Sequence, residues 1–391
     1  MLRRSFLTTP VLALRGAPAI EKTDLFESGK DGYALYRIPG IVITPKGSIL
    51  AYCEARKSER GDWGTIDIML RRSTDKGKTF SPRKMISSID GPVQKNPVAL
   101  AQNLATPNEV TFNNPVAISD AKTKQVHFVF CVEYMRSFYM RSDDDGVTFT
   151  KPVEITAAFD KFRPEYPWKV LATGPGHGIQ LRSGRLVIPI WLSTGTGGHA
   201  HRPSVTSTIY SDDHGKTWHR GEIAVPDTPE WVFPNETTAV ELANGEVLLN
   251  VRSESKVHRR LHTRSKDGAT KWSKPEFQQQ LLEPICMGAI VRSGKYILFS
   301  NPDNLERVDG KAEAGKNRDR RNLTVQLSED SAKTFAVKKV IEPSWSGYSD
   351  LAATPSGDVY LFYERGANGQ DHFRTATLTL ARFPVDWLTR K

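Results

Sequence analysis

Six short apolar runs recur along the chain, and their spacing limits the available folds more than any other feature. The runs are Gly47–Cys53, Gln125–Val132, Gly184–Trp191, Gly245–Val251, Gly294–Ser300 and Gly357–Tyr363. Short apolar runs bounded by turn residues are typical of strands that are buried on both faces. The first residues of successive runs are on average about 62 residues apart. This period is too long for one hairpin and suits a repeated four-stranded sheet.

A second pattern, Ser-x-Asp-x-Gly-x-Thr followed by Phe or Trp, comes after most of the runs. It is complete in three copies and degenerate in two: Ser73–Phe80, Ser142–Phe149, Ser211–Trp218, Ser265–Trp272 and Ser328–Phe335. Ser and Asp side chains bond the backbone of a turn, and glycine accepts positive φ. The pattern therefore predicts a repeated hairpin turn. A calcium loop is the alternative for Ser142–Gly146, but its acids are consecutive rather than alternate.

The two repeats together predict an all-β fold, a six-bladed β-propeller of four-stranded antiparallel sheets. We expect one such domain over residues 21–391, because no long segment keeps the apolar stripe of a helix. The sixth run has no turn pattern after it, so its closing strand is expected from a chain end. The strand-like segment Phe373–Ala381 lies near that end.

The first 20 residues have the features of an export signal. Arg3 and Arg4 precede a short apolar segment, which ends in the small residues Ala17-Pro-Ala19. The arrangement resembles a twin-arginine signal and predicts an exported protein, periplasmic or secreted. The alternative is an ordinary basic terminus. No apolar stretch in the chain reaches membrane-spanning length.

The net charge of +10 favours an anionic partner. No cluster of Lys and Arg interleaves with aromatic residues, so a small acidic ligand is favoured over nucleic acid. Three cysteines, Cys53, Cys131 and Cys286, lack metal-ligand spacing and are expected to be buried free thiols. His258–His262 and Gly195–His201 carry weak metal and phosphate patterns and are assigned structural roles. The sequence predicts neither a metal nor a cofactor.

The repeated turns resemble the Asp boxes of the sialidase (neuraminidase) family. Similar boxes also occur in propellers that are not enzymes, so the resemblance depends on further motifs. These are Tyr36–Pro39, Glu54–Arg56 with Asp62, Gly174–Gln180, Asn235–Glu236 with Arg252, and Tyr348 within Gly347–Asp350. They follow the order of the family from about residue 33 to the C-terminus.

By this resemblance, three arginines bind the carboxylate of a sialic acid: Arg37, Arg252 and Arg320. Guanidinium groups suit the task because they bond a carboxylate bidentately and stay charged. Arg321 remains an alternative to Arg320, since a slip of one residue in a strand turns the side chain to the other face. Glu364 occupies the family position that orients Arg37.

The resemblance also assigns the catalytic roles. An acidic nucleophile would be repelled by the substrate carboxylate, whereas a phenol is neutral but needs a base. Tyr348 and Glu236 form this pair, and tyrosine-nucleophile sialidases are a known exception among glycosidases. Asp62 is the expected acid/base for the leaving group. Arg56 is expected to contact substrate or support Asp62.

The expected function is a retaining exo-α-sialidase that releases terminal sialic acid from sialylated glycans. One alternative is a glycosidase or trans-glycosidase for a related nonulosonic acid. Another is a non-catalytic Asp-box propeller that binds acidic sugars. The presence of Tyr348, Glu236 and Asp62 argues against the binding module, because binding needs only the arginines.

Overall fold

The structure of the protein, a computed structural model, describes residues 20–366 and 374–390. The predicted export signal therefore lies outside the described residues, apart from Ile20, as does Phe373. The first thirteen strands are β1 (Glu21–Glu27), β2 (Leu35–Ile43), β3 (Ile49–Arg56), β4 (Ile66–Ser73), β5 (Lys84–Met85), β6 (Phe112–Asp120), β7 (Gln125–Val132), β8 (Arg136–Ser142), β9 (Val153–Glu154), β10 (Val170–Thr173), β11 (Gly176–His177), β12 (Ile179–Gln180) and β13 (Leu186–Ser193).

The remaining strands are β14 (Ser204–Ser211), β15 (His219–Arg220), β16 (Thr237–Glu241), β17 (Val247–Val251), β18 (Arg259–Ser265), β19 (Glu276–Leu282), β20 (Ala289–Ser293), β21 (Tyr296–Pro302), β22 (Arg321–Ser328), β23 (Val337–Ala353), β24 (Asp358–Arg365) and β25 (Thr377–Pro384). Three helices of five residues each complete the described chain: α1 (Pro97–Ala101), α2 (Thr156–Asp160) and α3 (Val385–Thr389). The all-β prediction is confirmed.

The strands form five sheets in the described part of the chain. Two have the predicted four strands, β2-β3-β4-β5 and β16-β17-β18-β19. Two others have five, because β12 joins β10-β13-β14-β15 and β11 pairs in parallel with β6 beside β7-β8-β9. The largest has seven, in the order β1-β25-β24-β23-β22-β21-β20.

The seven-stranded sheet contains two repeat units joined by one long strand. The first part of β23 pairs with β22, and the part from Ser346 to Ala353 pairs with β24. The outermost strand of the sheet, β1, pairs with β25, so both chain ends contribute to the closing unit. This confirms that a chain end supplies a closing strand, whereas the count of six blades stays a prediction.

Each predicted apolar run forms the second strand of its unit, namely β3, β7, β13, β17, β21 or β24. The core lies between neighbouring sheets that pack face to face. Leu50 and Tyr52 of β3, for example, pack with Phe128 and Phe130 of β7, and the Tyr52 and Phe128 ring centroids are 4.9 Å apart. All three cysteines are buried and free, as predicted.

The Asp boxes are the turns between the third and fourth strands. Four of the five share one hydrogen-bond pattern, and the box that begins at Ser265 makes the same bonds one residue closer together. In the first box, Gly77 N donates to Ser73 Oγ over 2.9 Å, and Thr79 Oγ1 donates to Asp75 Oδ2 over 2.6 Å. The degenerate fifth box keeps this pattern because Ala332 adopts the φ of +62° that glycine adopts elsewhere. The predicted structural role of the boxes is confirmed.

The antiparallel register separates the two ends of the propeller. Arg37 of β2 lies opposite Glu54 near the end of β3, whereas Ser73, which opens the first Asp box, lies opposite Ile49 at the start of β3. Side chains near the starts of first strands and the ends of second strands therefore meet at the end away from the boxes. Among the described residues, no helix is long and apolar enough to cross a membrane.

Candidate active site

A cavity of about 250 Å³ opens at the end of the molecule opposite the Asp boxes. It is lined by Arg37, Ile38, Asp62, Asn114, Tyr134, Trp191, His199, His201, Arg202, Asn235, Glu236, Arg252, Glu254, Asn317, Arg320 and Tyr348. Residues far apart in the sequence meet there, since each sheet contributes a strand end or a loop. Six of the eight predicted site residues line this cavity.

Tyr348 lies near the centre of a hydrogen-bonded group in the cavity. Its hydroxyl donates to Glu236 Oε1 over 2.6 Å and accepts from Arg252 Nη1 over 2.8 Å. The same Nη1 pairs with Glu236 Oε2. Arg252 follows the last residue of β17, and Glu236 precedes β16, so the pairing of these two strands brings them together. Arg252 thus leaves its strand beside the carboxylate of Glu236.

Glu364, at the end of β24, holds both Arg37 and the backbone of Tyr348. Its carboxylate accepts Arg37 Nε over 3.0 Å and Nη2 over 3.2 Å, and it accepts the backbone N–H of Tyr348 over 3.0 Å. Gly347 permits this approach, because a Cβ there would lie 2.1 Å from Glu364 Oε2. One buried carboxylate therefore fixes a guanidinium and the strand that carries the phenol.

Arg320, and not Arg321, borders the cavity. Its guanidinium carbon lies 5.1 Å from the centroid of the Tyr348 ring, and so does that of Arg37 on β2. Arg321 instead pairs with Glu306 at the surface, over 2.9 Å. The side chains of these two neighbouring residues diverge at the start of β22, so Arg320 stays the predicted third arginine and Arg321 lies away from the cavity.

Asp62 lies on the loop between β3 and β4 and is held by Arg56. Arg56 Nη1 is 3.0 Å from Asp62 Oδ1, and its Nη2 donates to Glu54 over 2.7 Å. Arg56 is completely buried and does not line the cavity, whereas 42% of the Asp62 side chain is exposed. Arg56 therefore supports Asp62 from behind, one of its two predicted roles.

The electrostatic field of the cavity acts differently on the phenol and on the aspartate. Burial raises the pKa of Tyr348 far above its ordinary value; Arg252 opposes the shift and Glu236 adds to it. Burial would also raise the pKa of Asp62, but Arg56, together with His201 and Arg37, outweighs burial and holds that pKa well below its usual range. The free site thus contains a neutral phenol and an ionised aspartate.

An aromatic wall beside Asp62 was not predicted from the sequence. His201 packs against Tyr134, with ring centroids 4.9 Å apart, and against Trp191 at 5.2 Å and Trp63 at 6.0 Å. Burial lowers the pKa of His201 to about 4, so the imidazole is neutral. The glycine-rich segment that carries His201 suggested only a loop, because nothing in its pattern indicates what it packs against.

A charged pair on the rim was also missed. Arg202 Nε donates to Glu254 Oε1 over 2.8 Å, and both side chains line the cavity. The only sequence signal was the position of Glu254 two residues after Arg252. Within residues 20–366 and 374–390, no three His, Cys, Asp or Glu side chains are grouped as a metal ion would require.

The fold and the site define an Asp-box β-propeller with an arginine-lined cavity at one end. A model of the BNR repeat-like domain matches residues 101–361, and the chain belongs to that family. The resemblance to sialidases stated from the motifs is confirmed by the comparisons with known proteins.

Two curated relatives show the extent of the similarity. The sialidase of Micromonospora viridifaciens is 28% identical over 408 aligned residues, covering 95% of this chain and 55% of the relative. The sialidase of Bacteroides fragilis is 26% identical, covering 86% of this chain and 61% of the relative. The chain thus spans less than two thirds of the length of either relative.

Solved structures give the same fold. The Hadza microbial sialidase Hz136 superposes with a TM-score of 0.73 at 25% identity, covering 94% of this chain and 69% of that one. The intramolecular trans-sialidase from Ruminococcus gnavus superposes with a TM-score of 0.71 over 94% of this chain and 98% of that one. At 17% identity, the second likeness concerns the fold alone.

Proposed function

We propose that the protein is a retaining exo-α-sialidase that hydrolyses terminal α-linked sialic acid with Tyr348 as nucleophile. The observation that carries the proposal is the 2.6 Å hydrogen bond from the Tyr348 hydroxyl to Glu236, in a cavity that Arg37, Arg252 and Arg320 also line. A phenol bonded to a carboxylate and surrounded by guanidinium groups suits attack on a carbon that already bears a carboxylate.

The three guanidinium groups are proposed to bind the substrate carboxylate. Arg37 and Arg320 flank the Tyr348 ring, and Arg252 bonds its hydroxyl, so a carboxylate between the three would lie beside the phenol. Glu364 keeps Arg37 in place against the repulsion of the other two cations. The neutral His201 and Trp191 line the same cavity and offer ring surfaces to the sugar.

The proposed reaction has two displacements. In the first, the Tyr348 oxygen bonds to the anomeric carbon and its proton passes to Glu236, while the bond to the leaving oxygen breaks and Asp62 protonates that oxygen. In the second, water attacks the anomeric carbon, gives its proton to Asp62, and Tyr348 leaves as the phenol by recovering its proton from Glu236. Two inversions give net retention.

Asp62 must gain a proton before it can act as the acid. Its pKa is held low in the free protein by Arg56, with Arg37 contributing. A bound substrate carboxylate neutralises positive charge near Asp62 and displaces water, and both changes raise the pKa of a carboxyl group. Substrate binding is therefore part of the activation of Asp62.

Transfer of sialic acid to a sugar is the second candidate, favoured by a cavity on the other side of Asp62. This cavity, of about 480 Å³, shares Asp62, His199 and His201 with the first and is otherwise bordered by loop residues such as Leu104. A leaving group protonated by Asp62 would lie there, and so would a sugar acceptor. A related nonulosonic acid is an alternative substrate for the same cavity.

The protein is also proposed to be exported, with residues 1–20 as its signal.

The test is release of a fluorogenic aglycone from an α-sialoside by the wild-type protein and by Tyr348→Phe. We expect the substitution to lower kcat by at least about a thousandfold, because the nucleophile is lost. Tyr363→Phe is the matched control: Tyr363 is also buried, does not line the cavity, and donates to Glu342 over 3.4 Å. It should retain wild-type kcat.

The results separate the proposals. Binding of sialic acid without hydrolysis by the wild type would favour the non-catalytic propeller, and full activity of Tyr348→Phe would contradict the nucleophile. Proton NMR during hydrolysis should show the α-anomer of free sialic acid first, since the mechanism retains configuration. An added lactose acceptor distinguishes transfer from hydrolysis, because only transfer makes a sialylated trisaccharide.

A further inference from the structure

A completely buried arginine, Arg260 on β18, lies outside the cavity and takes no part in the proposed chemistry. Its Nε donates to Asn250 Oδ1 over 2.7 Å, and its Nη1 donates to the carbonyl of Cys286 over 3.1 Å. The same Nη1 pairs with Glu283, whose side chain is 1% exposed. A buried charge is costly without partners, so a pair with this many fixed bonds constrains its surroundings.

Glu283 uses its other carboxylate oxygen to hold a turn. Glu283 Oε1 accepts the backbone N–H of Ile285 over 2.8 Å and that of Cys286 over 3.0 Å. Ile285 has a φ of +64°, an unfavourable conformation for a β-branched residue. Such a conformation persists only where neighbouring groups determine it, and here Glu283 and Arg260 are those groups.

The turn bears directly on the third arginine of the cavity. The carbonyl of Ile285 accepts Arg320 Nη2 over 2.9 Å, and the carbonyl of Pro284 accepts the backbone N–H of Arg318 over 3.1 Å. The strained turn thus points one carbonyl at the Arg320 guanidinium and another at the chain that leads to it. A change in the turn would move Arg320 relative to Tyr348.

His258, one residue before β18, ties the same two segments together. Its Nδ1 donates to the carbonyl of Glu283 over 2.9 Å, and its Nε2 accepts the backbone N–H of Gly315 over 2.9 Å. Gly315 belongs to the loop that carries Asn317 into the cavity and continues to Arg320. The sequence pattern assigns only a structural role to the segment His258–His262. Through His258 and Arg260 it holds the turn at Ile285, and through His258 it holds the loop that leads to Arg320.

We propose that Arg260 and Glu283 are positioning residues that fix the Arg320 guanidinium for binding the substrate carboxylate. The proposal rests on the proposed function of the cavity. Neither residue touches the ligand; they act through the carbonyl of Ile285. Displacements of an ångström at a binding group lower affinity and rate strongly, so the position of that carbonyl matters.

Arg260→Lys tests the proposal because it keeps the buried charge and removes the planar guanidinium. One ammonium group on a flexible stem cannot reproduce the fixed fork that joins Asn250, Glu283 and Cys286. The experiment is a double-mutant cycle of Arg260→Lys and Arg320→Lys, read as the Kd of a 2,3-unsaturated sialic acid analogue by calorimetry. The carboxamide of the same analogue is the second ligand.

We expect Arg260→Lys alone to weaken binding of the carboxylate by about tenfold, as coupled neighbours do. Binding of the carboxamide should change by less than about twofold, since that ligand has no anion for Arg320. In the Arg320→Lys background, Arg260→Lys should have almost no further effect. Arg72→Lys is the matched control: Arg72 pairs with the buried Asp145, and neither borders the cavity.

Additive losses in the cycle, or equal losses for the two ligands, would overturn the positioning role while leaving the proposed function intact. A wild-type protein that neither binds the analogue nor cleaves a sialoside would overturn the proposed function and this proposal with it. Should Arg260→Lys fail to fold, Glu283→Gln replaces it in the cycle, because an amide has one accepting oxygen and cannot accept from both Arg260 and the backbone N–H groups of the turn.

Discussion

At the scale of single residues, the cavity assigns opposite states to two acids of the proposed reaction. Tyr348 is a neutral phenol because burial outweighs the nearby cations, whereas Asp62 is ionised because Arg56, with His201 and Arg37, outweighs burial. The difference lies in contact geometry: Arg56 Nη1 is 3.0 Å from the Asp62 carboxylate, while Arg252 shares its Nη1 between Tyr348 and Glu236. Asp62, the proposed proton donor, therefore becomes protonated only when a bound substrate raises its pKa.

Asp62→Asn should distinguish this role from a structural one. A sugar leaving group needs a proton, whereas an aryl leaving group of low pKa departs without one. We expect the loss in kcat/KM to be at least about a hundredfold larger for a sialyl sugar than for an aryl sialoside, the usual size of a general-acid contribution. The measurement is kcat/KM for both substrates with the wild-type and variant proteins.

The control is Asp67→Asn. Asp67 is a near neighbour in sequence, but its carboxylate accepts the Tyr33 hydroxyl over 2.7 Å and does not line the cavity. It should leave the ratio of the two substrates unchanged. Equal losses of Asp62→Asn on both substrates would remove Asp62 as the proton donor. The variant also lacks the titrating group, so the fall in kcat/KM that wild type should show with rising pH is expected to disappear.

The site residues that could be predicted from the sequence were those whose residue type alone determines their chemistry. Arginines, a tyrosine and carboxylates in matching motifs indicated the cavity, and the structure brings Arg37, Arg252, Arg320, Tyr348 and Glu236 together. The choice between Arg320 and Arg321 could not be made, because it depends on the direction of two adjacent side chains. The aromatic wall was missed because packing between separate loops leaves no local pattern.

At the scale of elements, the period of apolar runs and turns was enough to predict the sheets. What it could not predict was how strands join beyond one unit. β23 continues through two units as 17 residues of strand, and β11 pairs in parallel with β6. Neither feature has a turn or an apolar period of its own. β23 runs from one unit into the next without a break, and β11 joins a sheet whose β6 partner lies about 60 residues earlier in the chain.

The Asp-box turns lead to a prediction about stability with a built-in comparison. Gly146, in the second box, has a φ of +83°, and a Cβ there would lie 2.6 Å from Leu50 Cδ2. Gly47 has a similar φ of +87°, but a Cβ there would meet nothing within 4 Å. The two glycines therefore separate the cost of the backbone conformation from the cost of overpacking.

Both glycines are replaced by alanine in this experiment. Gly47→Ala should lower the free energy of unfolding by about 1–2 kcal/mol, the cost of left-handed backbone for an L-residue. Gly146→Ala should lower it by about 1–3 kcal/mol more, because Leu50 has to move. Urea unfolding followed by tryptophan fluorescence measures both. Equal losses would mean that the box packs on β3 less tightly than the structure indicates.

At the scale of the whole molecule, a second buried pair connects sheets around the axis. Asp350 on β23 bonds His177 Nδ1 of β11 over 2.7 Å and accepts the backbone N–H of Ile41 on β2 over 2.9 Å. The first, second and last sheets thus meet at one carboxylate. It lies beside a cavity of about 260 Å³ lined by the first strands of the repeat units, two residues from Tyr348 in sequence.

This pair should make the stability of the whole fold depend on pH. Burial would lower the pKa of His177, but Asp350 outweighs burial and raises it. The folded state then holds the proton more tightly than the unfolded chain, whose histidine pKa is about 6.5. The stabilisation is complete below that pH and is lost as the pH rises through the folded pKa.

We therefore expect the difference in unfolding free energy between wild type and His177→Asn to be largest at acid pH and to shrink as the pH rises. Urea unfolding of both proteins across a pH series measures it. For His262→Asn the difference in unfolding free energy should change with pH in the opposite direction, because burial lowers the pKa of His262 to about 3. Its contribution is lost as the pH falls below about 6.5, where only the unfolded chain is protonated. A difference for His177→Asn that grows as the pH rises would contradict the ion pair, because it would mean that His177 is held neutral in the folded protein, and a constant difference would mean that Asp350 does not raise the pKa of His177.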